Sequence, residues 1–115
     1  MSNETNAEMA REFWVNFGCN DNALLAELLI AEEATEFFEA DKDLDKLKEL
    51  ADLVYVAYQY AEVKSWDLDE AFRRVHLSNM SKMSLDGSVV YREDGKVLKG
   101  PDYHPPDLRD LVDAE

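Results

Sequence analysis

The chain has 115 residues and a mass of 13.2 kDa, enough for one compact domain and too little for two. Its 26 Asp and Glu against 12 Lys and Arg leave a formal net charge of −14. That charge repels a nucleic-acid backbone and an anionic membrane surface, which excludes both as main ligands and leaves a divalent cation, a basic partner or a metal-carrying anion.

The single cysteine, Cys19, excludes an internal disulfide and a cysteine-based zinc site. It points to a reducing compartment and reads as a small buried apolar residue. The N-terminal stretch MSNETNAEMAREF carries neither a basic nor an apolar leader region. No uncharged run approaches the ~20 residues of a membrane helix, so a soluble, cytoplasmic chain is expected.

No proline precedes Pro101, and Gly18 is the only glycine before Gly87, so the first two-thirds reads as helices joined by short polar turns. Thr5 and Glu8 form a Thr-x-x-Glu capping box for a first helix that carries Met9, Phe13 and Phe17 on one side and stops at Gly18. Asn20, Asp21 and Asn22 cap a second helix over about Ala23 to Ala40. A charged turn from Asp41 to Asp43 leads to a third over about Leu44 to Lys64. Asp67 and Glu70 open a fourth at about Leu68 that runs to about Lys82. The helical core thus spans about 5–82. In 83–115, Asp86-Gly87 and Asp94-Gly95 are turn dipeptides, and Val89, Val90 and Tyr91 face Val97 and Leu98 in a short hairpin. From Gly100, with Pro101, Pro105 and Pro106, an extended tail is predicted. The fold class is all-α, a four-helix bundle with a short C-terminal β-hairpin and tail.

The informative pattern is in the middle. Positions 25, 29, 32, 36 and 39 form one stripe of the second helix, beginning Leu25, Leu29 and continuing Glu32, Glu36, Glu39. The third helix runs the other way, from Asp45, Glu49 and Asp52 to Val56, Gln59 and Val63. A short turn makes the two antiparallel. Glu36 then lies level with Lys48 and Glu49, and Glu32 and Glu33 level with Asp52. Ile30, Ala34, Phe37 and Phe38 make a second apolar side on one helix, as do Leu47, Leu50, Val54, Ala57 and Ala61 on the other. Helices apolar on two sides belong inside a larger bundle, which suggests an oligomer.

Two carboxylates ~5 Å apart at an effective dielectric of ~20 repel by roughly 3 kcal/mol, so a facing cluster requires protons or cations. All-oxygen ligands suit Mg²⁺ or Mn²⁺, and paired carboxylates on facing helices are how helical bundles hold metals. A solvated acidic helix face is the plainer alternative. Against it, the acids align with leucines and valines and cluster at matched heights. No histidine lies in the stripes, so an iron Glu-x-x-His site is not indicated.

Glu32-Glu33-Ala34-Thr35-Glu36, twelve intervening residues, then Glu49-Leu50-Ala51-Asp52 resembles the EExxE…ExxD signature of the all-α nucleoside triphosphate pyrophosphohydrolases. These include MazG, the phosphoribosyl-ATP pyrophosphohydrolases and the dimeric dUTPases. Val75-His76-Leu77-Ser78-Asn79-Met80-Ser81-Lys82, then Asp94 to Pro101 and Tyr103, is similar to the ending of small MazG-like proteins, many of them viral or bacterial. The resemblance covers about Phe13 to Leu108. It implies Mg²⁺-dependent cleavage of a (deoxy)nucleoside triphosphate to the monophosphate and pyrophosphate, by homodimers or homotetramers. Glu33, Glu36, Glu49 and Asp52 would be metal ligands, with Glu32 a further ligand or the base. Glu32 and Glu33 are thus the expected catalytic pair, and Asn79 and Lys82 would hold phosphates. The basic residue that relatives often carry ahead of the first acid pair is missing from Leu24 to Ile30.

Trp14 is a candidate for base stacking and Asn16 for base-edge hydrogen bonds, while Phe13 and Phe17, four apart, read as core. Lys96, Lys99 and Tyr103 either close over the triphosphate or merely cover the bundle. His76 and His104 are not spaced as a metal pair. The expected function is control of a nucleotide pool, with purine dNTPs such as dGTP, or dUTP, as candidate substrates. The alternatives are a non-catalytic acidic protein that mimics DNA and a metal-storage or redox bundle.

Overall fold

The computed structural model describes residues 3–19 and 21–112. Among them are five helices and one two-stranded hairpin, in two compact units, Met1–Leu68 and Asp69–Glu115. The all-α class with a short C-terminal hairpin is as expected.

In the first unit, α1 (Asn6–Asn16) starts at the expected capping box. The Glu8 amide donates to Thr5 Oγ1 at 3.1 Å and the Thr5 amide to Glu8 Oε1 at 2.9 Å. It ends two residues before Gly18, whose φ of +61° turns the chain so that the Cys19 amide reaches the Trp14 carbonyl at 3.1 Å. Helix α2 (Ala23–Glu39) is capped by Asn22, which accepts from the Leu25 amide at 3.0 Å. Of the other two expected capping residues, Asp21 is exposed and Asn20 lies outside the described residues. Helix α3 (Asp43–Lys64) has Asp43 and Asp45 in its first turn, where the helix dipole favours anions. It ends at Ser65 in the left-handed region, with the Trp66 amide bonded to the Ala61 carbonyl at 2.9 Å.

Both α1 and α2 pack against α3. Phe13 sits edge-on to Tyr55 at 5.8 Å and stacks on Phe17 at 4.5 Å. Lys46 Nζ donates to the Phe37 carbonyl at 2.9 Å across the α2–α3 turn. The buried hydrophobic residues of this unit are small: Ala10, Ala26 and Ala61. No large side chain is fully buried among the described residues, and Phe17, predicted as core, is 72% exposed. Cys19 is half-buried rather than buried. Two helices packed against α3 do not enclose side chains of that size.

In the second unit, α4 (Leu68–Met80) stops two residues short of the expected Lys82. Its last turn tightens, with Lys82 and Met83 amides reaching back three residues to Asn79 and Met80. Strands β1 (Val90–Tyr91) and β2 (Val97–Leu98) pair antiparallel, Val90 with Leu98 and Tyr91 with Val97, around the Asp94-Gly95 turn. The tail follows α4. Ser78 Oγ donates to the His104 carbonyl at 2.8 Å, and Arg74 spans Glu70, the Asp107 carbonyl and Asp110. Those contacts explain a departure from the extended tail expected: α5 (Arg109–Val112), one helical turn opened by Asp107, which accepts from the Arg109 amide at 3.1 Å.

Gly100 is required by close approach. A Cβ there would lie 2.7 Å from the Lys82 carbonyl oxygen and 3.2 Å from Ser84 Oγ. Gly100→Ala is expected to destabilise this unit by about 1–3 kcal/mol, as overpacking against backbone does. A denaturant melt of variant and parent checks it; equal midpoints would contradict the contact.

Candidate metal centre

The α2–α3 seam is where the acid stripes meet. One carboxylate oxygen from each of Glu33, Glu36 and Glu49 lies within 4.8 Å of the others. The helix periodicity that puts Glu33 and Glu36 on adjoining turns, and the antiparallel turn that brings Glu49 level with them, suffice to build this group. Glu33 and Glu49 are half-buried, and Oε2 of each is buried with no hydrogen-bond partner.

The strain falls on Glu33. Burial pushes its carboxyl up to about 7, helped by its hydrogen bond to and the charge of Glu36, then by the charge of Asp52 and a hydrogen bond with Glu49. One proton thus offsets part of the repulsion near neutral pH. A second compensation comes from Lys48, whose Nζ lies 2.6 Å from Asp52 Oδ2 and 3.6 Å from Glu49 Oε1. These carboxylates hold the Lys48 ammonium above its ordinary value, the hydrogen bond to Asp52 being the main cause. Buried carboxylate oxygens without donors, beside a third carboxylate, are groups that could hold a cation. The donor set is all carboxylate, which fits a hard divalent ion.

Of the other expected site residues, Asp52 borders the group through Lys48 and Glu33, whereas Glu32 is exposed on α2 outside the three-carboxylate cluster. Trp14 is half-buried and helps line a cavity of about 190 Å³, and Asn16 is exposed at the end of α1. Asn79 is exposed on α4, and Lys82 is half-buried in the turn beyond it. Lys96 is exposed at the start of β2, and Lys99 Nζ lies over the Tyr103 ring at 5.0 Å. The sequence reading did not single out Lys48 as part of the site. Its i,i+4 spacing to Asp52 is the signal for it.

The model of the phosphoribosyl-ATP pyrophosphohydrolase family matches residues 3–79. The chain belongs to this family. It is a nucleotide pyrophosphohydrolase of the all-α superfamily, a hydrolase acting on acid anhydrides. The matched span holds every acid of the cluster and ends at Asn79, so Lys82, Lys96, Lys99 and Tyr103 lie beyond it. Members of the family are typically metal-dependent, in keeping with the carboxylate group on α2 and α3. Comparison with curated proteins returns no match. Among the described residues no helix is long and apolar enough to cross a membrane.

Removing the Lys48 charge takes away a competitor for Asp52 and Glu49. Lys48→Met is therefore expected to bind Mg²⁺ several-fold more tightly in isothermal calorimetry. Weaker binding would mean that the ammonium organises the carboxylates rather than standing in for a cation.

Proposed function

We propose that this pyrophosphohydrolase cleaves a (deoxy)nucleoside triphosphate to the monophosphate and pyrophosphate, with Mg²⁺ or Mn²⁺ as cofactor, and thereby adjusts a nucleotide pool. The observation that carries the reading is the set of partnerless, buried carboxylate oxygens of Glu33 and Glu49 beside Glu36, inside the span the family matches. Glu33, Glu36, Glu49 and Asp52 are the proposed ligands. A bound divalent ion supplies charge compensation and Lewis acidity toward the phosphoryl oxygens. The chain's own part is to hold and release a proton. Glu32, exposed on α2 next to Glu33 and outside the three-carboxylate cluster, is the proposed carboxylate that takes a proton from water and gives it up to solvent. By the resemblance, Asn79 and Lys82 are the proposed phosphate contacts, and Lys96, Lys99 and Tyr103 are further proposed substrate-binding residues.

We further read the assembly as a homodimer or homotetramer. Phe38 is 78% and Leu47 65% exposed, with Leu50 and Val54 close to half exposed, on the second apolar sides of α2 and α3. Contiguous apolar surface of this kind is normally covered. Light scattering on the eluted protein checks this, a monomeric mass being the contrary result. A DNA mimic would display its acids on the exterior, while these are pressed together with buried oxygens.

The direct test incubates the protein with each dNTP and NTP plus Mg²⁺ or Mn²⁺ and identifies products by ³¹P NMR. Monophosphate and pyrophosphate are expected. Diphosphate with orthophosphate, or no product from any nucleotide, would refute the reading.

A further inference from the structure

The α2–α3 seam does not end at the acids. One turn before Glu33 on α2 lies Leu29, and two turns beyond Asp52 on α3 lies Gln59, about 10 Å along the helix axis. Here the seam opens into the cavity of about 190 Å³, lined by Trp14, Cys19, Leu25, Leu29, Gln59 and Val63 among others. None of the residues lining it is charged, unusual in a chain of net charge −14. A phosphate has no partner there, but a flat neutral ring does. A cavity of about 150 Å³ is enough to take up benzene, so this one admits the flat ring edge of a nucleobase with its exocyclic atoms.

Gln59 makes the cavity specific. Its side-chain Nε2 is buried and has no acceptor. Buried polar atoms in native proteins nearly always have a partner, and an orphan donor on the wall of an apolar cavity calls for an acceptor from a ligand. Asn22, the other side-chain amide of the wall, already accepts at Oδ1 from the Leu25 amide as helix cap.

We infer that this cavity is the base pocket and that Gln59 sets its specificity, donating from Nε2 to a ring carbonyl of a keto nucleobase while the phosphates lie at the acid end of the same seam. Trp14 supplies an aromatic wall. The inference rests on the proposed nucleotide reading and narrows it: with C4 of a pyrimidine or C6 of a purine turned toward Gln59, uracil, thymine and guanine offer a carbonyl, whereas cytosine and adenine offer an amino group, which would set donor against donor.

The test is a panel of dUTP, dTTP, dGTP, dCTP and dATP with Mg²⁺, run on the parent, Gln59→Leu and Gln59→Glu, with circular dichroism to verify folding. The parent is expected to prefer a keto base. Gln59→Leu should lower kcat/KM for that nucleotide by roughly 10–100-fold, the loss of one buried hydrogen bond, and flatten the preference. Gln59→Glu, with acceptors only, should tilt it toward dCTP or dATP. A parent that prefers an amino base, or base preferences unchanged in both variants, overturns the assignment while leaving the hydrolase reading intact. Should no nucleotide be hydrolysed, the pocket is tested without chemistry. In a Trp66→Phe background with EDTA, Trp14 fluorescence is titrated with deoxyuridine and deoxyguanosine. Saturable quenching that Gln59→Leu removes supports the pocket even as the hydrolase reading fails, and absence of quenching overturns it.

Discussion

Glu36→Gln is expected to cut turnover by two to three orders of magnitude or more while making the metal-free protein more stable, not less. The two effects share one cause. Glu36 is the carboxylate whose hydrogen bond and charge, after burial, do most to hold a proton on Glu33. Two such charges ~5 Å apart at an effective dielectric of ~20 repel by roughly 3 kcal/mol, an upper bound on what the neutral amide relieves. The same substitution removes one of the three oxygens grouped within 4.8 Å and with it a proposed ligand charge. Parallel rate measurements and thermal melts in EDTA check both halves. Loss of activity together with a lower melting temperature would indicate a structural role for Glu36, and undiminished turnover would refute its assignment as a ligand.

Mg²⁺ or Mn²⁺ is expected to raise the melting temperature strongly and increasingly so toward neutral pH. Ligand at 100 times its dissociation constant stabilises a fold by about 2.7 kcal/mol, on the order of 10 °C for a chain of this size. The pH dependence follows from Glu33. Its carboxyl titrates near 7 in the folded chain and at an ordinary 4.5 once unfolded, so between those values the folded state binds more protons. Metal-free stability therefore falls as pH rises from about 4.5 to about 7 and levels off above. A cation must displace that proton, so its stabilising effect grows across the same window. Melts at pH 5, 6, 7 and 8 with and without Mg²⁺ check the sign. A metal effect that is flat or shrinks with rising pH would remove Glu33 from the ligand set.

Much of this site was legible before any coordinates, for a definite reason. Helix positions follow from local signals: the Thr5–Glu8 box, the Asn22 cap and Gly18 each act within four residues. The facing of Glu33 and Glu36 with Glu49 follows from a 3.6-residue period and one short turn. The hairpin of the second unit was equally local, since Asp94-Gly95 sets its register. Where the reading overran, at the end of α4 and in the tail, distant contacts decided: Arg74 reaches Asp107 and Asp110, more than thirty positions away, and a turn of helix forms where prolines promised only extension.

What the amino-acid order determined by itself was the first four helices, the acid seam and the family to which they belong, because periodicity and capping are properties of neighbours along the chain. Only the tertiary structure decided which carboxylate keeps a proton and that Gln59 lines a cavity with its amide unmatched. Each depends on burial and on separations between helices. Those quantities arise when α2 settles on α3, and no spacing in the sequence encodes them.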